Sequence, residues 1–341
     1  MIKEQRLDLH LPTSWAACTT QELEIIAEVL VRHMAQASPL HPFDMYAVKA
    51  ELFFRLAGIE IVEQLNPVVN VESQYYVCRC PKQKTDNFQL YLWQIDAWIG
   101  KGEVTLQDGK VIKKDNLLGW LDGNDGTTIP IFPYPMITRK KNFWSRKKFK
   151  GPEPLMDGFT WQRYRFAQDL SEYHTNVSNQ LLDMQHHRID HTDEEIKKME
   201  SNVDSAKAMF LATIFNGKIT TVDEQTKKIV KSYAYHSNQS TDNQMYFRNW
   251  SPVQWQVILF WWNGMMEYLK KKFPHMFKKG DVAENQATNP MEVYTRTTAT
   301  LEKYLNLNED EVNRQFYTVV LQHIDDMIKE NEEMKRIKAK S

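Results

Sequence analysis

Glycine is scarce in this chain, with twelve among 341 residues. Neither G-x-G-x-x-G nor G-x-x-x-x-G-K-[ST] occurs, so the usual backbone cradles for nucleotide phosphates are missing. Three cysteines, Cys18, Cys78 and Cys80, are too few for a disulfide framework and fit a reducing compartment. Excess charge is also missing: 43 Lys and Arg stand against 44 Asp and Glu, a net charge of −1. That balance removes any global attraction to nucleic acid or to an anionic membrane. No apolar run approaches the roughly 20 residues of a membrane span. The opening MIKEQRLDLHLP has neither an apolar core segment nor a small-residue cleavage site, so no secretory signal is expected. No G-x-S-x-G elbow, Cys/His protease signature or fixed-period repeat appears.

What the chain has in quantity is aromatic residues, including ten Trp. They concentrate in Ser251–Phe273, SPVQWQVILFWWNGMMEYLKKKF. Ser251 can cap a helix with Pro252 at its first position. Val253, Trp255, Val257, Ile258, Trp261, Trp262, Met265 and Leu269 then face every direction, which demands burial on nearly all sides. Gln254, Gln256 and Asn263 interrupt the run, and the segment reads as the central helix of a helical domain.

Elsewhere, helix signals dominate. Thr19 and Glu22 form a T-x-x-E capping box before Leu23, Ile26, Leu30 and Met34 at helical spacing. A second helix is predicted from about Asp44 to Ala57, stopping at Gly58, and makes an αα-hairpin with the first. Residues 59–150 change character. Asp108-Gly109 between EVTLQ and KVIK is a strong hairpin signal. FQLYLWQIDAWIG fits neither the helix nor the strand period, and GNDGTTIPIFPYP should hold little regular structure. RKKNFWSRKKFK, residues 139–150, reads as an exposed basic linker. Beyond it, Thr160 caps a helix through residue 184, and Thr192 with Glu195 boxes another that Gly217 ends. Residues 218–236 suggest a small hairpin. Asn308 caps a helix over Glu309–Lys338 whose tail past Lys329 is too polar to pack. The expected fold is mainly α, a multi-helix bundle with a small β-containing insertion at about 67–135. The expected division is 1–66 (helical hairpin), 67–150 (mixed β and loop with the basic linker) and 151–341 (helical, around 251–273).

Reactive constellations are few. His187-x-x-Asp190-His191, with His186 alongside and His174 on the preceding helix, offers a metal-like pattern. Thr192 starts a new helix, so the histidines fall in a connection rather than on one face, and a solvated turn is the better reading. Cys78 and Cys80 have no second pair to complete a zinc site and read as small core groups on one strand face. Asp325-Asp326 reads as the wet face of an amphipathic helix, and Trp161/Tyr164/Phe166 as core. No catalytic, cofactor or metal residue is assigned. In the basic run, Phe143 and Trp144 among Arg139, Lys140, Lys141, Arg146, Lys147, Lys148 and Lys150 combine stacking groups with cations. Neutrality of the whole chain favours a solvated loop or an acidic protein partner over nucleic acid. Trp261, Phe143, Trp144, Lys147 and Lys148 are the candidate partner-binding residues, while Trp262 is assigned to the core.

Four phrases together resemble a group of structural-module proteins of tailed phages and prophages, in particular tail-assembly chaperones. They are LPTSW with TTQELEIIAEVL, then FKGPEPLMDGFTWQRYRFAQDLSEY with AMFLATIF, then WSPVQWQVILFWWNGMMEYLKKKFPHMF, and finally TLEKYLNLNEDEVNRQFYTVVLQHIDDMIKENEE. The resemblance implies a non-enzymatic helical protein of the bacterial host cytoplasm, or one associated with the virion. It also implies a partner such as the tape-measure protein or another tail component, and no cofactor.

Overall fold

The computed structural model describes residues 9–37, 41–64, 74–100, 103–105, 111–113, 116–122, 128–141, 144–222, 228–233, 235–277 and 290–340. An extended start is expected for residues 1–15 from the alternation in LDLHLP; residues 1–8 of it, and Asp108 and Gly109, lie outside the described residues. Mainly α with a small β content is what the molecule is. Contacts divide the chain into two compact units, residues 1–133 with 251–265, and residues 134–250 with 266–341.

The first unit opens on α1 (Thr20–Gln36), where Thr19 and Glu22 close the capping box. Then comes α2 (Met45–Ala57), which starts on Asp44 and ends on Gly58 at φ 67°, a left-handed position that favours glycine. Strands β1 (Glu60–Gln64), β2 (Tyr75–Arg79) and β3 (Phe88–Tyr91) form an antiparallel sheet in that order. β3 runs directly into α3 (Leu92–Ile99), which is why FQLYLWQIDAWIG obeys neither period: it is half strand and half helix. The hairpin β4 (Glu103–Thr105) and β5 (Val111–Lys113) is present, but Thr105 opposes Val111 rather than the Ile112 that a two-residue Asp108-Gly109 turn would set. Ile26, Val29, Val48, Leu52, Phe53, Cys78, Leu90, Ile95 and Ile99 share one core. Met34, read as part of the α1 stripe, is instead 62% exposed, because it lies past the last turn that this core covers.

The second unit opens on β6 (Met136–Lys140) and β7 (Arg146–Lys150), so the basic segment expected as a linker is a β-hairpin. With β8 (Asn216–Val222) and β9 (Ile229–Tyr233) it forms a four-stranded antiparallel sheet. The small hairpin suggested for 218–236 is thus present, while the confinement of β structure to about 67–135 is not. An αα-hairpin of α4 (Trp161–His186) and α5 (Asp193–Ile214) follows β7, and both helices carry their expected threonine caps. α5 ends at Phe215, two residues before Gly217. Gly217 lies in β8, where a Cβ would come within 2.9 Å of Lys147 Cε and 3.1 Å of Asn243 Nδ2. α6 (Ser237–Asn243) then leads to a short turn, whose Phe247 packs on Phe149 at 4.9 Å beneath the sheet.

α7 (Pro252–Lys272) is the Trp-rich helix. Its turns up to Met265 belong to the first unit, where Trp261 is fully buried edge-on to Phe132 at 4.7 Å. In the second unit α8 (Pro290–Leu305) precedes α9 (Glu309–Arg314) and α10 (Tyr317–Lys340). The single helix expected over Glu309–Lys338 is therefore broken. Gln315 and Phe316 adopt extended backbone to pair with the start of α4, with Trp161 N donating to Gln315 O at 2.8 Å and Tyr317 N to Phe159 O at 3.0 Å. The polar tail past Lys329 stays helical. Asp325, read as wet, is buried and accepts the Met276 backbone N–H at 2.8 Å.

Candidate functional site

The residues singled out from sequence do not converge. Trp261 belongs to the core of the first unit and offers no surface to a partner. Phe143 lies outside the described residues. Trp144, between β6 and β7, is 89% exposed. Lys147 turns inward, donating to Asn243 Oδ1 at 2.8 Å, while its neighbour Lys148 is exposed on the opposite face. His186 ends α4 and His187 caps it, with Nδ1 3.1 Å from the Asp183 carbonyl of its own last turn. Among the described residues, no group of His, Cys, Asp and Glu is placed to hold a metal ion. Cys78 and Cys80 are buried, and burial pushes the Cys78 thiol up to about 11.

His174 sits well inside α4. Burial, then the nearby Lys207 ammonium, pushes it down to about 4, with Asp204 pulling the other way.

A concavity lies between α4, α5 and α6 in the second unit, next to a residue that sequence reading missed. Arg163 stands in the first turn of α4, where a cation opposes the helix dipole. Its side chain instead reaches the end of α5 and donates to Thr213 O at 3.0 Å and Ile214 O at 2.7 Å, completing the last carbonyls of that helix. The guanidinium lies 3.8 Å over the Phe159 ring and is buried, which pushes it down to about 9. One side chain thus pins the ends of both helices. The wrong-signed charge in the first turn was the available signal.

Beside this pin opens a groove of about 520 Å³. Phe166, Leu170 and Tyr173 line it from α4, and Met209 and Thr213 from α5; Tyr235 and Gln244 lie across from them. Phe166 is 39% exposed, Tyr173 47% and Met209 41%, so Phe166 is a groove wall rather than core. Asp169 supplies a carboxylate, held above its usual range by burial although Arg165 at 3.3 Å pulls it down. Burial likewise raises the Tyr235 phenol. Among the described residues lining the groove, none forms a nucleophile–base pair or a carboxylate pair of the kind acid–base chemistry needs. The site can hold apolar side chains and present a few polar groups to their backbone.

A smaller cavity of about 370 Å³ lies where α10 meets the loop before α4. Leu155 and Met156 there take φ of 54° and 56°, left-handed positions that cost L side chains free energy, and Tyr317 Oη holds Leu155 O at 2.7 Å.

Comparison of the chain with family models, with curated proteins and with solved structures finds no match.

Proposed function

We propose that this chain is a non-enzymatic interaction protein of phage or prophage tail assembly, acting in the bacterial cytoplasm. Its α4–α5–α6 groove would take an amphipathic helical segment of a tail component, such as a tape-measure-like protein. The observation that carries the binding reading is the exposed apolar wall. Phe166, Leu170 and Tyr173 stand at i, i+4 and i+7 on α4 with Met209 opposite, the spacing that receives the apolar seam of a partner helix. Exposed apolar groups gathered in one concavity mark interaction sites more often than scattered ones. The tail context rests on the resemblance of the four sequence phrases.

Co-expression with each protein encoded beside the gene tests both parts. A tail component should co-purify with the wild-type chain, and Phe166→Ser with Met209→Ser should reduce recovery about tenfold while leaving the melting temperature unchanged. Undiminished recovery with the double variant would remove the groove from the account. A gene set among housekeeping enzymes, away from tail and capsid genes, would remove the tail context.

A further inference from the structure

The four-stranded sheet of the second unit separates its charges by face. Across β6, β7, β8 and β9 there is no Asp or Glu. Register sets Lys140 opposite Arg146, Thr138 opposite Lys148, and Lys150 opposite Asn216; in the second hairpin Lys218 opposes Tyr233, and Thr220 opposes Lys231. Alternation along strands therefore brings Lys140, Arg146, Lys148, Lys150, Lys218 and Lys231 to one face. All are exposed except Lys150, which is half-buried and pairs with Glu153. Arg139, Lys147 and Phe149 occupy the opposite, inner face. There Arg139 donates to Asn249 O at 2.7 Å and covers the Trp250 ring at 4.6 Å.

The two faces handle like charge differently. On the inner face Arg139 and Lys147 are directly opposed, and each has acceptors of its own. On the outer face Lys140 and Arg146 are also directly opposed, an arrangement that destabilises a sheet. Among the described residues, no ion pair or hydrogen bond to a carboxylate joins Lys140, Arg146, Lys148, Lys218 or Lys231. Neighbouring cations on one sheet face are about 5 to 7 Å apart, inside the screening length of roughly 8 Å in physiological salt. A polyanion laid across the face would relieve that repulsion. Trp144 stands between β6 and β7 at the turn end of the first hairpin and is 89% exposed, an aromatic surface close to Lys140 and Arg146 in the chain.

We propose that this outer sheet face binds single-stranded nucleic acid, its cations along the phosphates and Trp144 stacked on an unpaired base. The proposal is independent of the groove and rests on a different set of residues. Nucleic acid is favoured over an acidic protein because protein interfaces are depleted of charge at their centre and of Lys throughout, whereas five of these six cations are Lys. Rows of Lys and Arg with an interleaved aromatic are how sequence-tolerant single-strand binders work. The chain's net charge of −1 hides this, because the carboxylates that balance it lie outside these strands.

The test is fluorescence anisotropy of a labelled oligothymidylate with the full chain across a salt series. Unlabelled duplex DNA, polyglutamate and phosphatidylserine vesicles serve as competitors. Wild type should bind, more weakly as salt rises, and the oligothymidylate should be displaced least by polyglutamate and vesicles. Lys140→Glu with Arg146→Glu and Lys148→Glu should lower affinity at least tenfold, and the corresponding Gln variant should flatten the log–log salt slope by about 2. That Gln variant also serves if charge reversal disturbs folding, as checked by melting. Trp144→Ala should lower affinity on the order of tenfold. Absence of binding at low salt, or full binding by the Gln variant, would overturn the proposal. So would preference for polyglutamate, vesicles or duplex, or wild-type affinity for Trp144→Ala.

Discussion

The helix α7 and the hairpin β6–β7 are the two most conspicuous stretches of the sequence, and both carry tryptophan, yet their indoles meet opposite fates. Trp261 in α7 is fully buried, whereas Trp144 at the hairpin turn is 89% exposed. Residue type does not decide this; neighbours do. Around Trp261 the helix is apolar in every direction and must be enclosed. Around Trp144 the outward positions nearest the turn, Lys140, Arg146 and Lys148, are cations, so only one face of the hairpin can be buried, and its inward Arg139 and Lys147 need polar acceptors to be there. An aromatic amid uniform apolarity is therefore core, while in the basic hairpin position decides: Phe149, on the inner face of β7, is fully buried, and Trp144, in the turn, is presented to solvent.

Truncation breaks the comparison most sharply. Trp261→Ala should cost roughly 3–5 kcal/mol, against a domain stability of about 5–15 kcal/mol, and Trp262→Ala a similar amount. Trp144→Ala should stay within about 0.5 kcal/mol of wild type in the same denaturant titration. Equal losses at the two ends would dissolve the distinction. The same contrast holds among cations. Arg163→Ala, which leaves the Thr213 and Ile214 carbonyls without their donor, should cost about 3 kcal/mol, whereas Lys148→Ala should leave the unfolding midpoint where it is.

A smaller effect concerns His174, whose folded pKa of about 4 lies below the ordinary value of 6.5. Between those values the unfolded chain binds the extra proton, so stability falls as pH drops from about 6.5 towards 4. Solvent reaches this half-buried ring, so the loss should be on the order of 1 kcal/mol. Lys207 and Asp204 of α5 are the charges beside it. His174→Gln should remove that part of the pH slope in urea titrations at pH 4.5 and 7. Smallest is the exposed capping box of α5, where Thr192→Ala should cost about 1 kcal/mol or less.

Local signals were legible in the sequence wherever a few adjacent residues settle the matter. The threonine and asparagine caps and Gly58 all appear where their chemistry predicts, and 103–105 pairs with 111–113 one residue off the register of a two-residue turn. What was hidden depends on distant partners. Nothing near Gln315 announces that its carbonyl will be taken by Trp161 N, which breaks the C-terminal helix. The strand character of 139–150 was masked because its outer positions are Lys and Arg rather than polar neutral groups. Its pairing of β7 to Asn216 and Gly217 is non-local as well. Asp325 resembles any solvated acid until the Met276 N–H is placed against it. The groove was not read from the sequence, where Phe166 stands with Trp161 and Tyr164 as core; whether Phe166, Leu170 and Tyr173 make core or an open wall depends on what covers them.

Hydrogen exchange on the full chain, alone and bound to the tail component recovered by co-expression, tests the functional account most directly. Binding should protect amides of residues 166–173 in α4 and around Met209 in α5, and leave exchange in α7 unchanged. Protection confined to α7, or none along α4 and α5, would contradict it.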